Sequence, residues 1–155
     1  MTPELQSTIE AVPRAVVGID GRSAAGKSTF AGRLATTLPG ATIVHGDDFY
    51  RVMREEHRAA LTAPEGYDQY FDWQRLRDEV LVPARHGEFT YRLYDWNTEQ
   101  LGGMDTVAAL GAVLVEGVYS LRPELRPFFD VTIWVEAPAD LRIERQFARG
   151  ENSRE

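Results

Sequence analysis

Ala15-Val16-Val17-Gly18-Ile19-Asp20-Gly21-Arg22-Ser23-Ala24-Ala25-Gly26-Lys27-Ser28-Thr29-Phe30 is the stretch on which the reading of this chain turns. Its first six residues are a short, β-branched apolar run stopped by a glycine, the pattern of a buried strand. From Lys27 the period changes. Phe30, Leu34 and Leu38 recur every fourth residue, an apolar helix stripe that Pro39-Gly40 ends. Between strand and helix, Gly21–Ser28 fits G-x-x-x-x-G-K-[ST] without a gap. The two glycines let several backbone N–H groups turn inward around a phosphate. Lys27 brings a mobile cation to a β/γ-phosphate, the Ser28 hydroxyl can ligate Mg²⁺, and the helix start adds its positive dipole end. Average residue usage produces such a match in roughly one chain in two hundred of this length. The strand before it and the helix after it make chance less probable still.

Outward from that loop, Ala41-Thr42-Ile43-Val44-His45 reads as a second strand, so a strand, helix, strand unit opens the chain and implies a parallel sheet. Residues 4–11 suit a short leading helix stopped before Pro13. The charged run Arg51–Ala60 reads as helical and Thr62–Tyr70 as a polar, aromatic loop. Trp73, Leu76 and Val80 share one helical face, with Asp72 placed as its cap. Phe89–Tyr94 alternates like half of a hairpin. Ala112–Glu116 and Val131–Val135 are two further buried strands, and a helix starts near Pro138. The expectation is an α/β, three-layer P-loop NTPase fold, a parallel sheet flanked by helices, in a single domain spanning 1–155. Sheets of this kind usually have five strands, so the closing strand and the end of the lid are expected to be truncated.

Composition narrows the function classes. There are 155 residues with 43% hydrophobic and 26% charged, ordinary for one globular domain. No apolar run approaches the ~20 residues of a membrane span. Without a cysteine there is no disulfide, thiolate metal site or thiol nucleophile. A net charge of −7 argues against a nucleic acid polymer as partner, which needs a positive footprint, yet leaves room for one mononucleotide. A cytoplasmic location is the default expectation. Homo-oligomerisation stays open.

Beyond the loop, the order of short segments carries a resemblance. His45-Gly46-Asp47-Asp48-Phe49-Tyr50 resembles the D-[SD]-F-Y segment of uridine kinases and their relatives, Tyr70-Phe71-Asp72-Trp73 their F-D segment, and Tyr94-Asp95-Trp96 their Y-D-[FY] segment. Val113-Leu114-Val115-Glu116-Gly117 is similar to their strand ending in E-G, and Phe129-Asp130 to the F-D pair before the next strand. Arg142, Arg145 and Arg149, three and four apart on one helix face, fall where the family carries lid arginines.

The resemblance implies a kinase using ATP and Mg²⁺ on a small-molecule acceptor. It implies Asp47 as general base, with an Asx turn or helix cap as the competing structural reading. Lys27, Arg142 and Arg145 would act on the transferring phosphoryl group. Gly21, Arg22, Ser23, Ala24, Ala25, Gly26, Lys27, Ser28, Thr29 and Arg149 would hold the nucleotide. Ser28 and Glu116 would hold the metal, while Asp72, Tyr50, Tyr94 and Glu99 would face the acceptor, with Tyr91 a further candidate. Asp72 also suits an N-cap, and the tyrosines also suit plain packing. Glu99 stands where uridine kinases carry a histidine that reads the pyrimidine. An ionised carboxylate only accepts hydrogen bonds, so either the base of a nucleoside acceptor is recognised differently or the acceptor is not a pyrimidine nucleoside.

Overall fold

Every residue of Val16–Asp20 is buried, as a central strand covered on both faces requires. In the computed structural model, which describes residues 2–148, this strand is β1 and follows helix α1 (Pro3–Glu10). Next come α2 (Lys27–Ala35) and β2 (Thr42–His45), then three short helices, α3 (Glu55–Ala60), α4 (Ala63–Gln69) and α5 (Trp73–Leu76). A hairpin of β3 (Glu88–Asp95) and β4 (Gln100–Ala108) precedes β5 (Val113–Glu116), β6 (Val131–Trp134) and α6 (Ala139–Ala148).

Among the described residues the main sheet has the order β2-β5-β1-β6 and is parallel throughout. Glu116 pairs with Ile19 on one side and His45 on the other, so β1, β5 and β2 end almost level. Their carboxyl ends form the edge where open α/β sheets bind ligands.

Side-chain alternation sorts the core into two clusters. Val17, Ile19 and Leu114 face Ile9 of α1 and Ala31 and Leu34 of α2. Val16, Val113 and Val115 face the other way, under Leu76, Val80 and Leu81 and under Phe89, Tyr91 and Val107 of the hairpin. Three layers result, with the hairpin sharing the second face with α5 and the π-helical turn Arg77–Leu81 that prolongs it. A fully buried Leu34 or Leu114 contributes roughly 1.5–3 kcal/mol. No described helix is long and apolar enough to cross a membrane.

Two local expectations change. Residues 62–70 hold a helix where a loop was expected. The Glu65 carboxylate accepts from both the backbone N–H (2.8 Å) and the hydroxyl (2.6 Å) of Thr62, and Pro64 sits in the first turn. Conversely, only Glu55–Ala60 of the charged run 51–60 is helical. Arg51 N–H donates instead to Tyr70 O at 2.8 Å, beside an isolated bridge between Tyr50 and Phe71, so this segment is extended.

Candidate active site

The loop after β1 owes its shape to backbone conformations that side chains disfavour. Gly26 has φ 101°, and Gly21, at φ 153°, lies so near β6 that a Cβ there would meet Val135 O at 2.2 Å. Gly26 is also the N-cap of α2 and offers no side chain to the helix's first N–H groups. A small cavity of 40 Å³ opens there, lined by Ala24, Gly26, Lys27, Ser28 and Thr29. Lys27 is buried, and its Nζ donates to Gly21 O (2.9 Å) and Arg22 O (3.1 Å), reaching back across the loop. Uncapped amides, a helix dipole and one buried ammonium fit a polyphosphate. From α6, Arg145 Nη1 donates to Ala24 O (3.2 Å) and Ala25 O (3.4 Å), tying that helix to the loop.

Asp20 holds the loop from beneath. Its buried carboxylate accepts from Gly21 N–H at 2.6 Å and from Leu121 N–H at 2.9 Å, joining the start of the phosphate loop to the segment after β5. Spacing gave no hint of this role; the only signal was an acid closing a wholly apolar strand.

Beside the cavity, Glu116 is buried at the end of β5. Its Oε1 accepts from Ser28 Oγ at 3.1 Å and lies 2.7 Å from His45 Nδ1. The Glu116 hydrogen bond raises the His45 pKa, and the Asp48 and Asp47 charges add to it. Two hard oxygens 3.1 Å apart suit neighbouring corners of an octahedron with ~2.1 Å bonds, so Ser28 and Glu116 fit a hydrated Mg²⁺. Among the described residues no cluster of three or more His, Asp or Glu could hold a metal by itself; water and phosphate would complete such a site.

Asp47 lies on a 3-10 turn, Gly46–Phe49, directly after β2. A Cβ on Gly117 would sit 2.9 Å from Gly46 Cα, so the ends of β5 and β2 meet closely only because both positions are glycine. That contact sets the Asp47 turn next to Glu116. Arg75 braces the turn from behind. It donates to Asp48 O and to Arg92 O (2.6 Å), and its guanidinium lies 4.6 Å over the Phe49 ring. Asp47 is exposed, and its charge helps to raise the pKa of Tyr50, pushed up to about 12 chiefly by burial. Burial likewise raises the Asp48 pKa.

Tyr50, Tyr94 and Trp96 form one aromatic group: Tyr50 and Tyr94 each lie 4.9 Å from Trp96 and 6.2 Å from each other. Arg58, which sequence reasoning missed, closes its rim. Its Nη2 donates to Tyr94 OH at 2.9 Å and its Nη1 lies 3.7 Å from Glu99, at the hairpin turn with φ 53°. Asp72 accepts from Arg75 N–H (3.2 Å) as the cap of α5, and it lines a 470 Å³ cavity together with Tyr50, Arg51 and Gln74. Tyr91 instead packs in the core, stacked on Phe49 at 5.3 Å. Of the lid arginines, Arg142 lines the space beside Arg22, and Arg149 lies outside the described residues.

Comparison with known proteins agrees with this arrangement. Residues 16–155 match the Phosphoribulokinase / Uridine kinase family. A uridine kinase of Deinococcus deserti is 28% identical over 144 residues, covering 90% of this chain and 70% of that protein. One of Ureaplasma parvum serovar 3 is 25% identical over 142 residues, covering 88% and 69%. Two solved structures share the fold. One, provisionally described as a fructose transport system kinase from Silicibacter sp. TM1040, has a TM-score of 0.75 at 23% identity and covers 97% of this chain and 82% of its own. The other, a possible uridine kinase from Bacillus stearothermophilus, has a TM-score of 0.68 at 25% identity, with 96% and 90% covered. With its strand, loop and helix in place and the family match spanning nearly all of it, the chain belongs to the phosphoribulokinase / uridine kinase family of P-loop kinases.

Proposed function

We propose that the chain moves a phosphoryl group from ATP to a hydroxyl of a small molecule, with Asp47 as the general base. The observation that carries this is the shared sheet edge. Asp47, the Ser28–Glu116 pair and the uncapped start of α2 with Lys27 converge where β1, β2 and β5 end.

ATP with Mg²⁺ supplies an electrophilic γ-phosphorus and a good leaving group, ADP. The loop amides and Lys27 would bind and orient the phosphates, and Ser28 and Glu116 would hold the metal, which would neutralise charge on them. Asp47 accepts the proton of the acceptor hydroxyl as its oxygen bonds to the γ-phosphorus and the bond to the β-phosphate oxygen breaks. Most of the acceleration comes from positioning and from charge held where it develops. Arg145, fixed to the loop carbonyls, and Arg142 would bring cations to the transferring phosphoryl group.

A nucleoside is the first acceptor to test. The uridine kinase relatives point to it, and Tyr50, Tyr94 and Asp72 could face its ring and hydroxyls. A non-nucleoside acceptor is the second reading. It is favoured by the Arg58–Glu99 pair at the rim of the aromatic group and by Asp72 serving as a helix cap. A coupled assay of ADP release with Mg²⁺·ATP and a panel of nucleosides, pantothenate and sugar phosphates tests the proposal. Acceptor-dependent release supports it and names the acceptor class. ATP binding with no acceptor-dependent release points to a nucleotide-binding protein that does not transfer.

A further inference from the structure

The largest cavity described, 590 Å³, is not the phosphate cradle. It is walled by Gly21–Ser23 at the start of the loop, by Tyr67, Tyr119 and Trp134, and by four arginines: Arg22, Arg122, Arg126 and Arg142. The chain has only 17 basic residues and a net charge of −7, so this concentration runs against the whole. Among the described residues the only acid in the lining is Asp20, whose two oxygens already accept from Gly21 and Leu121 N–H.

Arg122 is the most constrained of the four. It is 5% exposed, stacked over the Tyr67 ring at 4.8 Å and near the Trp73 ring at 5.4 Å. Glu124 accepts from two of its nitrogens at 2.9 and 3.0 Å, and among the described residues buried Nη1 has no hydrogen-bond partner. Leaving a buried donor of a charged group unpaired costs stability. The backbone here is also held in an unusual state. Tyr119 has φ 69°, a left-handed conformation rare for a bulky residue, and its ring meets Tyr67 edge-on at 5.0 Å. Strain of that kind concentrates at ligand sites.

The cavity adjoins the proposed acceptor site. A Cβ on Gly46, the residue before Asp47, would lie 3.2 Å from Gly117 Cα and 3.4 Å from Ser120 Oγ, so the Asp47 turn packs against the segment whose Tyr119 and Leu121 line the cavity. The nucleotide does not need all four arginines, since its phosphates have Lys27 and their own cradle. Arg22 and Arg142 also line a second space near Val135–Ala137, on the lid side, whereas Arg122 and Arg126 line the large cavity alone.

We propose that this cavity holds the anionic end of the acceptor, a phosphate ester or a carboxylate, while Asp47 addresses the hydroxyl to be phosphorylated. This rests on the kinase reading and narrows it: the substrate is an anionic alcohol, not a neutral one.

Two arms test it separately. In the first, a non-hydrolysable ATP analogue and Mg²⁺ fill the phosphate loop, and inorganic phosphate or acetate is titrated calorimetrically into wild-type and Arg126→Gln protein. Arg126 is exposed, so this change is compatible with folding; Arg122→Gln is added with its melting temperature recorded. Binding that Arg126→Gln weakens by about tenfold supports the proposal, and the better-bound ion separates phosphate from carboxylate. No binding, or binding indifferent to Arg126→Gln, overturns it whatever the enzyme turns over.

The second arm compares acceptor pairs that differ by one anionic group: a sugar with its monophosphate, and a hydroxy acid with its amide. The anionic member is expected to show kcat/KM higher by about a hundredfold, and Arg126→Gln to erase most of that mainly through KM. Equal or better use of neutral acceptors overturns the proposal and leaves the kinase intact. Silence with every acceptor overturns the kinase reading, and the first arm still decides the cavity.

Discussion

Around the phosphate loop, the functional groups hang from the ends of main-sheet strands and the start of a helix. Lys27 opens α2, Glu116 ends β5 and His45 ends β2. Around the acceptor side they hang from a separate hairpin and from short helices of four to seven residues: Tyr94 on β3, Glu99 at its turn, Arg58 on α3 and Asp72 before α5. The first set is placed by local backbone, since a strand must end and a helix must begin there. The second is placed by side-chain contacts distant in sequence, such as Arg58 with Tyr94 and Arg75 with the Asp48 carbonyl. On the proposed function, the first side would serve the nucleotide and the second would select the acceptor.

If that division is right, substitutions on the loop side abolish transfer whatever the acceptor. Lys27→Ala is expected to lower kcat by about 10³-fold or more, because it removes the buried cation that meets developing charge. Steady-state ADP release checks this; a loss under tenfold would break the comparison at its stronger end. Next, Asp47→Asn is expected to lower kcat by about 10²- to 10³-fold with nucleotide affinity unchanged, read from kinetics beside a fluorescent-nucleotide titration. A matching loss of nucleotide affinity would show Asp47 holding the nucleotide and not acting on the acceptor hydroxyl alone.

Acceptor-side changes should be milder and selective. Tyr94→Phe removes the hydroxyl that accepts from Arg58, and Glu99→Gln removes the charge beside it. Each is expected to raise the acceptor KM by about fivefold and leave the KM for ATP alone. Equal shifts in both constants would show that the two sides are one unit.

The smallest effect concerns stability. Burial raises the folded-state pKa of Asp48 above its unfolded value, so its ionised form opposes folding at neutral pH. That cost is present above the folded pKa, shrinks as pH falls through it, and is gone once pH lies below the unfolded value. Asp48→Asn is therefore expected to raise Tm by about 1–2 °C at pH 7, with the gain fading near pH 4. A gain that grows on acidification would contradict the sign.

The same division explains what could be read in advance. The loop, the four sheet strands and the helix after Pro138 were legible because each carries a local signature. The hairpin's second strand, β4, was not. Seven of its nine residues are exposed and two are Gly102 and Gly103, so it shows no alternation and pairs with β3 alone. Helix α4 had its signal in Thr62-Ala63-Pro64-Glu65, a capping box that the glycine and aromatics behind it obscured. Arg58, Arg75 and Arg122 could not be found by spacing, because each works through a partner 17 to 55 residues away or through a ring stacked in space. Nor did sequence choose for Asp72. It caps α5 and also lines a cavity with Tyr50, so its two readings coexist.

The most direct test of the central claim is phosphorus NMR of Mg²⁺·ATP incubated with the protein and the acceptor panel, wild type beside Asp47→Asn. The account predicts that ADP and a new phosphate ester appear together, in equal amounts, only with a competent acceptor and almost only in wild type. Release of inorganic phosphate without an ester, or full ester formation by Asp47→Asn, would contradict it.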